Sequence, residues 1–324
     1  MEEIMILCVG ETVIDMILKN NAGSQEAYTP LPGGSLYNTS IAIGRLGVPV
    51  AFMGRLSKNI FTEPHIKRLR ENNVRDDLLI RSIENPVLAI VKTEEEKGSQ
   101  YVFYNEGTAD SLLSVEDIPP LSLETKCIAF GSISMNMEPA ATTIETLILR
   151  EAKRKIVISF DPNIRPFMIK DRNEYMKRLE KWVSACTITK SSSEDFEYIF
   201  PKIEPQEALE KMLKLGARLS VATTGAGGAI ALLKRSNGNV IKVCTPGIHI
   251  PQIADTVGAG DTFHGAFLSW LELHDKLSQN AILDMSRTDL NDALTFANKA
   301  AAIVCTRNGA EPPYLDELRS ALSN

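Results

Sequence analysis

The residues best suited to chemistry stand in one short stretch, residues 255–264, which reads Asp-Thr-Val-Gly-Ala-Gly-Asp-Thr-Phe-His. Gly258 and Gly260 allow a tight turn that exposes backbone N–H groups, and the apolar residues that follow at three- and four-residue steps predict a helix. The first N–H groups of a helix lack intrahelical acceptors and stabilise an anion. Asp261 is then placed to take a proton from a hydroxyl that attacks a phosphate. The alternative is that Asp261 or Thr262 only caps the helix.

A second group of polar and glycine residues lies near the N-terminus. Gly33 and Gly34 allow a ligand to approach bare backbone, and Asn38 offers both a donor and an acceptor to a pair of ligand hydroxyls. Asp15 follows the first predicted strand, and a carboxylate there accepts two charge-assisted hydrogen bonds. The alternative for the glycine pair is a hinge turn in which Asn38 is the helix N-cap.

Two polar segments, residues 161–166 and 190–195, each follow a predicted strand. Arg165 and Lys190 supply the positive charge that phosphoryl oxygens need. Because both lie in segments that we predict to be polar loops, we expect them to act on phosphates and to contribute little to folding. The alternative for each is a surface ion pair.

The elements that must position these residues alternate along the chain. Short apolar runs bounded by turn residues predict buried strands at residues 4–9, 50–54, 127–130, 156–160, 185–189, 219–223 and 229–233. Helical patterns lie between many of them, at residues 37–46, 64–72, 139–153, 174–183 and 207–215. This alternation predicts an α/β fold with a parallel sheet covered by helices on both faces.

Two stretches interrupt the alternation. Residues 17–32 are polar and turn-rich, and residues 87–109 hold two apolar runs around a charged turn, which predicts a hairpin. We expect them to form a small sheet that acts as a lid over a cleft within one domain, residues 1–324. Tyr101 and Phe103 would leave an exposed apolar face on that sheet, which favours a homodimer joined through the lids.

The composition limits the partners and the compartment. With 324 residues, 44% hydrophobic content and a net charge of −6, the chain can bury a large core but lacks the basic patch that nucleic acid or a membrane surface requires. The apolar run at residues 4–9 is too short for a signal sequence, so we expect a cytoplasmic protein. An odd number of widely spaced cysteines predicts reduced core thiols rather than disulfides or a zinc site: Cys8, Cys127, Cys186, Cys244 and Cys305.

These motifs together resemble the ribokinase-like (PfkB) carbohydrate kinases. Residues 255–263 are similar to the family's C-terminal signature, and residues 32–38 with Gly47 and Gly54 are similar to its N-terminal signature. The segments 190–195, 223–228 and 296–310 resemble its nucleotide-binding elements, in the family's order. The resemblance implies a ribokinase-like three-layer α/β/α sandwich with a small β-sheet lid, and a single kinase domain.

The resemblance also implies a role for individual residues. Asp261 would be the catalytic base, beside an anion hole made by Gly258, Ala259 and Gly260. The implied sugar-binding residues are Asp15, Gly33, Gly34, Asn38, Tyr104 and Arg165. The implied nucleotide-binding residues are Lys190, Ser192, Thr223, Gly225, Gly228 and Asn298. Glu194 and Asp195 would hold Mg²⁺ through water, and the cofactors would be ATP, Mg²⁺ and a monovalent cation such as K⁺. For Asn298 the alternative is an ordinary packed helix with a glycine cap.

Within the family, residues 103–110 and 131–134 look most like bacterial fructokinases. That resemblance implies transfer of the γ-phosphoryl group of ATP to a primary hydroxyl of fructose. The alternatives are a 2-keto-3-deoxygluconate kinase, which shares the pattern at 161–166, another PfkB sugar or nucleoside kinase, or an inactive sugar-binding relative. The chain departs from the family at residues 57–62 and at Asn105, where fructokinases frequently carry arginine.

Overall fold

The computed structural model describes residues 5–19, 27–94 and 98–322. Within these ranges the strands are β1 Ile6–Val9, β2 Val13–Lys19, β3 Ala27–Gly33, β4 Val50–Ser57, β5 Val74–Arg75, β6 Leu79–Ser82, β7 Val87–Glu94, β8 Gly98–Tyr104, β9 Cys127–Gly131, β10 Val157–Asp161, β11 Ile188–Ser192, β12 Leu219–Thr223, β13 Ala229–Lys234 and β14 Val240–Thr245. The α-helices are α1 Ser35–Arg45, α2 Glu63–Glu71, α3 Ala140–Ala152, α4 Arg172–Ala185, α5 Ser193–Ile199, α6 Pro205–Leu215, α7 Ala259–Leu273, α8 Gln279–Leu283, α9 Arg287–Cys305 and α10 Leu315–Leu322.

A ten-stranded sheet forms the centre of the molecule. Its order is β14-β13-β12-β11-β10-β9-β1-β4-β5, and β6 also pairs with β4. The strands from β12 to β5 run parallel, but β13 and β14 are antiparallel to their neighbours. The expectation of a wholly parallel sheet is therefore wrong at this edge. The link from β12 to β13 is a short turn through Gly225–Gly227, too short for the crossover that a parallel pair needs.

The two faces of the main sheet bury separate cores. In β1, Ile6 and Cys8 point to the face covered by α1, α7 and α9, whereas Leu7 and Val9 point to the face covered by α3, α4 and α6. Residues on both sides of a central strand such as β1 are consequently apolar, which explains the continuous hydrophobic runs in the sequence. The predicted three-layer α/β/α sandwich is confirmed.

The strand predicted at residues 185–189 is displaced. Ala185 is the last residue of α4, and β11 starts at Ile188 and continues to Ser192. Lys190 therefore lies inside a buried strand and not in a polar loop, so that expectation was wrong. Hydrophobicity alone missed it because this strand carries buried polar side chains. Two of them bond to neighbouring strands, Thr189 to Ser220 and Lys190 to Asp161, each at 2.8 Å.

A second, four-stranded sheet has the order β3-β2-β7-β8. The predicted hairpin is present as the antiparallel pair β7 and β8, in which Glu94 lies opposite Gly98; its turn, residues 95–97, lies outside the described residues. The sheet begins at Val13, earlier than the boundary predicted at residue 17. Asp15 is consequently a residue of this sheet. A small apolar cluster that includes Val87, Ala89 and Met137 packs beneath it.

The cysteines divide into two groups. Cys8, Cys127 and Cys186 are buried, as predicted, and all five thiols are free. Cys244 is exposed and Cys305 is half-buried, so the prediction of core thiols is wrong for these two. Among the described helices, none has the length and apolar character needed to cross a bilayer.

Candidate active site

The start of helix α7 lies at the carboxyl edge of the main sheet and has the geometry of an anion site. Gly258 is its N-cap, in the left-handed region at φ 76°. A side chain there would also meet Ala310, whose Cβ lies 2.5 Å from the position of an added Cβ. Within the described part of the chain, the N–H groups of Gly260 and Asp261 have no backbone acceptor. These groups point their partial positive charge out of the helix end.

The Asp261 carboxylate is held by helix α1. Ser35 Oγ donates to Oδ1 at 2.7 Å, and Asn38 Nδ2 donates to Oδ2 at 3.0 Å. Asp261 is 8% exposed. Burial raises its pKa, and the negative charge of Asp161 adds to that effect, whereas the two hydrogen bonds and Lys190 act in the opposite direction.

Lys190 is the buried cation of the site. Its Nζ donates to Asp161 Oδ2 at 2.8 Å, and an added Cβ at Gly260 would lie 3.1 Å from the same Nζ. Burial opposes the charged form of Lys190, but attraction by Asp161, Asp195 and Asp261 outweighs it and raises the pKa. A fixed positive charge therefore stands directly beside the first turn of α7.

A cavity of about 310 Å³ opens above Asp261 between the main sheet and the second sheet. We call it the Asp15 cavity; the predicted residues that line it are Asp15, Gly34, Asn38, Arg165, Lys190, Gly258, Gly260 and Asp261. Burial, with Asp261 and Glu11 as further negative charges, raises the pKa of Asp15 to about 7, although Arg165 works against that rise. A hydroxyl-rich, neutral ligand suits such a lining.

Gly33 and Arg165 shape this cavity. A Cβ on Gly33 would collide with the Asp15 carboxylate, so glycine is required there to make room for that side chain. Arg165 Nη1 donates to Asn163 Oδ1 at 2.8 Å and to the carbonyl oxygens of Asn163 and Ile164. The loop after β10 thereby fixes the guanidinium at the cavity wall.

Tyr104 lies away from the Asp15 cavity. It is 58% exposed and lines a concavity of about 980 Å³ on the opposite face of the second sheet, together with Asn105 and Glu106. Side chains alternate between the two faces of a strand, and in β8 it is Phe103 that reaches the Asp15 cavity. The structure therefore does not bring Tyr104 together with the other predicted sugar-binding residues.

A second cavity, of about 640 Å³, lies on the other side of the α7 start. We call it the Asn298 cavity; the predicted residues that line it are Lys190, Ser192, Glu194, Asp195, Thr223, Gly225, Gly228, Ala259, Gly260 and Asn298. Ser192 and Thr223 are register neighbours in β11 and β12. Asn298 Nδ2 donates to Thr245 Oγ1 at 2.9 Å and to the Pro246 carbonyl at 3.2 Å, so it holds the loop that closes one side of this cavity.

Glu194 and Asp195 differ in their availability to a metal ion. Asp195 Oδ1 accepts from the Ile164 N–H at 2.6 Å, and Oδ2 accepts from the Ser192 N–H at 2.8 Å and from its hydroxyl at 2.9 Å. Both oxygens are thus used to cap α5 and to fix the loop after β10. Glu194 is exposed in the Asn298 cavity. No three His, Cys, Asp or Glu side chains cluster as a metal site within the ranges the structure describes.

The two cavities meet at the start of α7. Asn163, Lys190, Thr256 and Gly260 line both of them. A group transferred from a ligand in one cavity to a ligand in the other would pass the α7 N-terminus and Lys190. That arrangement fits phosphoryl transfer between two bound substrates.

Sequence reasoning missed three buried polar residues of this site. Ser35 and Glu11 stand next to motifs that were recognised, at Gly33-Gly34 and before Asp15. Asp161 is the first residue of the polar segment 161–166, in which the sequence pattern indicates a functional role only for Arg165. Each is buried, and each contacts a predicted residue or its neighbour. For Glu11 and Ser35 the available signal was a polar side chain next to a glycine, and for Asp161 it was a carboxylate at the end of an apolar run.

Comparison with known proteins decides the family. The pfkB family carbohydrate kinase model matches residues 3–317. The chain belongs to the PfkB family of carbohydrate kinases. The predicted family and the predicted enzyme class, a carbohydrate kinase, are confirmed.

Individual relatives of this PfkB kinase span most of its length. The fructokinase of Rhizobium leguminosarum bv. trifolii is 34% identical over 288 residues, which cover 89% of this chain and 86% of the relative. An ATP-dependent 6-phosphofructokinase of Thermoanaerobacterium thermosaccharolyticum is 30% identical over 273 residues, which cover 82% of this chain and 81% of the relative. The crystal structure of a fructokinase with bound ATP from Xylella fastidiosa superposes with a TM-score of 0.87 at 25% identity, covering 99% of each chain.

Proposed function

We propose that this PfkB kinase is a fructokinase that transfers the γ-phosphoryl group of ATP to a primary hydroxyl of fructose. The observation that carries the proposal is the position of Asp261, which lines the Asp15 cavity at the α7 start where that cavity meets the Asn298 cavity. The similarity to the Rhizobium fructokinase supports the choice of sugar. The Asn298 cavity is the proposed ATP site.

Asp261 acts as the general base in this proposal. Its carboxylate accepts the proton of the attacking hydroxyl as the oxygen bonds to phosphorus and the bond to ADP breaks. The burial that raises the pKa of Asp261 also strengthens it as a proton acceptor, while the Ser35 and Asn38 hydrogen bonds favour its ionised form.

Positive charge for the transferring group comes from two sources. The N–H groups of Gly260 and Asp261 open toward the junction of the cavities, and Lys190 lies beside them. Preorganised donors of this kind stabilise charge that develops in the transition state, because they need no reorganisation.

Glu194 is the residue that fits a metal ion held through water, because its carboxylate is exposed in the Asn298 cavity. Asp195 fits poorly as a ligand because protein donors occupy both of its oxygens. Mg²⁺ bound with ATP would neutralise phosphate charge there. The expectation of a monovalent cation stays a prediction without assigned ligands.

The charges of the Asp15 cavity favour a neutral sugar. Glu11, Asp15 and Asp261 line it, and of its cations Lys190 is paired with Asp161. A carboxylate or phosphate on the substrate would be buried among these carboxylates with only Arg165 to compensate, which is unfavourable. This argues against 2-keto-3-deoxygluconate and also against fructose 6-phosphate.

A coupled assay of ADP release with fructose, ribose, 2-keto-3-deoxygluconate and fructose 6-phosphate tests the proposal. We expect kcat/KM for fructose to exceed that for each of the others by at least ~10²-fold, the scale of a lost set of buried hydrogen bonds. A preference for an anionic sugar would refute fructose as the substrate but leave the assignment as a sugar kinase intact. Absence of turnover with every sugar would favour the inactive relative.

The same assay tests the base. Asp261→Asn should lower kcat by ~10²–10⁴-fold with little change in KM, the usual effect of losing a general base. Asp77→Asn is the control, since Asp77 is exposed and pairs with Arg75 away from both cavities. Near-parental turnover by Asp261→Asn would remove Asp261 from the mechanism.

We further propose that the second sheet is a lid and that two lids join in a homodimer. Asp15, Ile17, Val91 and Phe103 line the cavity from this sheet. Phe103 is half-buried and lines the cavity, so the expectation that it lies on an exposed face is wrong. The other face of the sheet is apolar and open, with Val102 56% and Tyr104 58% exposed. We propose that the same face of a second copy of the chain packs against it, because sheets with unpaired edges and exposed aromatic faces associate. The side chain of Tyr101 lies outside the described residues.

We also propose a cytoplasmic location. All five cysteines are free, and three of them are buried in the two main cores. Free thiols of this kind suit a reducing compartment.

A further inference from the structure

We propose that Ser35 is a positioning residue for phosphoryl transfer, whose hydroxyl fixes the Asp261 carboxylate at the junction of the two cavities. The inference rests on the proposed function, in which Asp261 is the base. It assigns a role to a hydroxyl that lies 2.7 Å from Asp261 Oδ1 and lines the same cavity.

Ser35 is itself held firmly. It is the first residue of α1 and is 7% exposed. Its N–H donates to Glu11 Oε1 at 3.3 Å, and Glu11 Oε2 accepts from the Ser134 N–H at 3.1 Å. Glu11 therefore links the start of α1 to the loop after β9. This link holds Ser35 in place, and Ser35 in turn orients the Asp261 carboxylate.

The orientation of Asp261 depends on α1 at both oxygens. Asn38, one helical turn after Ser35, donates to Oδ2 at 3.0 Å, while its own Oδ1 is buried without a partner among the described residues. Residues three apart on a helix lie on the same face, so Ser35 and Asn38 donate to the two oxygens of the same carboxylate. Removal of Ser35 leaves one oxygen without its donor and frees the side chain to rotate.

The charged groups around Asp261 make the Ser35 hydroxyl important for the ionised form of the Asp261 carboxylate. Charged or titratable groups near it come from β2 and the loop before it, from β10 and the loop after it, from β11, and from α7 and the segment before it: Glu11, Asp15, Asp161, Arg165, Lys190, Asp255 and His264. Burial lowers the pKa of His264 to about 3, so this ring is neutral and gives Asp261 no positive charge. The carboxylates outnumber the cations Lys190 and Arg165, and the neutral donors Ser35 and Asn38 favour the ionised form of Asp261.

The test is the pH profile of kcat at saturating fructose in Ser35→Ala, because KM for fructose also titrates with Asp15. A charge-assisted hydrogen bond of this kind shifts a carboxyl pKa by about one to two units. Its loss should move the acid limb of the profile to higher pH by about one unit or more, with activity recovering above that limb. Ser35→Thr keeps a hydroxyl and should restore most of the shift.

Thr39→Val is the matched control. Thr39 also lies on α1 and also bonds to Asp261, but its Oγ1 donates to the backbone carbonyl, at 3.3 Å, and not to the carboxylate. This variant removes one buried hydroxyl from the same helix and should leave the acid limb where it is. Thermal unfolding of all variants establishes that each is folded at the assay temperature.

Three outcomes separate the possibilities. An acid limb that moves in Ser35→Ala but not in Thr39→Val supports the proposal. An unmoved limb in folded Ser35→Ala, with Asp261→Asn inactive, overturns the role of Ser35 and leaves the proposed function intact. Near-parental turnover of Asp261→Asn overturns both.

Discussion

Lys190 donates a hydrogen bond of 2.8 Å to Asp161 across the neighbouring strands β11 and β10, and the two side chains are 6% and 1% exposed. A buried ion pair contributes little net stability, because desolvation offsets the attraction, but removal of one partner leaves an uncompensated charge. Asp161 Oδ1 has no partner among the described residues, so the carboxylate depends on Lys190. Lys190 therefore serves both the fold and the site.

Lys190→Met should lower the free energy of unfolding by about 3–5 kcal/mol, the usual cost of breaking a buried pair. This prediction replaces the expectation that Lys190 contributes little to folding, since Lys190 lies in a buried strand and not in a loop. Urea unfolding measures the loss, and Lys67→Met, at a 75% exposed lysine, is the control.

The double variant Lys190→Met with Asp161→Asn separates the two roles of Lys190. It should regain most of the lost stability because no buried charge is left without a partner. Its kcat/KM for ATP should remain low. Recovery of that activity together with stability would mean that Lys190 is only structural.

Asp15 should make stability depend on pH. Burial and the negative charges of Asp261 and Glu11 raise the pKa of Asp15 to about 7 in the native state, whereas the pKa of an aspartate in the unfolded chain is about 4. The native protein binds this proton more tightly, so the stability that Asp15 contributes is complete below about pH 4 and is lost as the pH rises through 7. The stability of Asp15→Asn relative to the parent should therefore rise by about 3 kcal/mol from pH 5 to pH 8.

Urea unfolding at pH 5 and pH 8 measures that gain. For Asp77→Asn we expect the same difference from the parent at both pH values, because its Arg75 partner lowers the pKa of Asp77 in the native state. KM for fructose in the parent should fall from pH 6 to pH 8, since ionised Asp15 is the stronger acceptor of hydroxyl groups. A pH-independent stability gain would show that Asp15 is not protonated in the native protein.

Gly258 should tolerate no side chain. Gly258→Ala places a Cβ at φ 76° and 2.5 Å from the Cβ of Ala310. Gly238, at φ 84° with open space around its Cβ position, is the matched control. We expect a cost of about 1 kcal/mol for Gly238→Ala, from the backbone conformation alone, and a further 1–3 kcal/mol or so for Gly258→Ala from crowding.

Kinetics distinguish the two glycines as well. Gly258→Ala should lower kcat, because displacement of the α7 start moves the N–H groups that face the transferring phosphoryl group. Gly238→Ala should turn over like the parent. Equal stability losses in the two variants would show that Ala310 moves aside freely.

Hydrogen exchange tests the lid. We expect exchange in β7 and β8 to slow when fructose is added, since Val91 and Phe103 line the cavity that the sugar would fill. Helix α6, on the far face of the main sheet, should exchange equally with and without sugar. Unchanged exchange in β7 and β8 at saturating fructose would contradict the lid.

Light scattering tests the dimer. Val102→Glu, on the outer face of the second sheet, should convert a dimer to a monomer because it buries a charge at the contact. Leu123→Glu is the matched control, since Leu123 is 88% exposed elsewhere on the surface. A monomeric parent at working concentration would refute the proposed contact.

Local patterns were sufficient for most of the framework. Predicted strands at 219–223 and 229–233 agree with β12 and β13 within a residue, because continuous apolar runs occur where helices cover both faces of a sheet. The antiparallel direction of β13 was not predicted, since apolar content does not encode strand direction. The start of β11 was missed because its polar side chains find partners only in the folded chain.

For the site, the sequence by itself determined the residue types: a glycine turn before a helix, an aspartate at its start, and acidic and amide groups near the N-terminus. Those features follow from local backbone chemistry and can be read within a few residues. Only the tertiary structure decided which of them meet. Ser35 and Asp261 are 226 residues apart in the chain yet share a hydrogen bond, and Tyr104 faces away because the pleat of β8 turns it outward. Long-range packing sets such contacts, so no local pattern contains them.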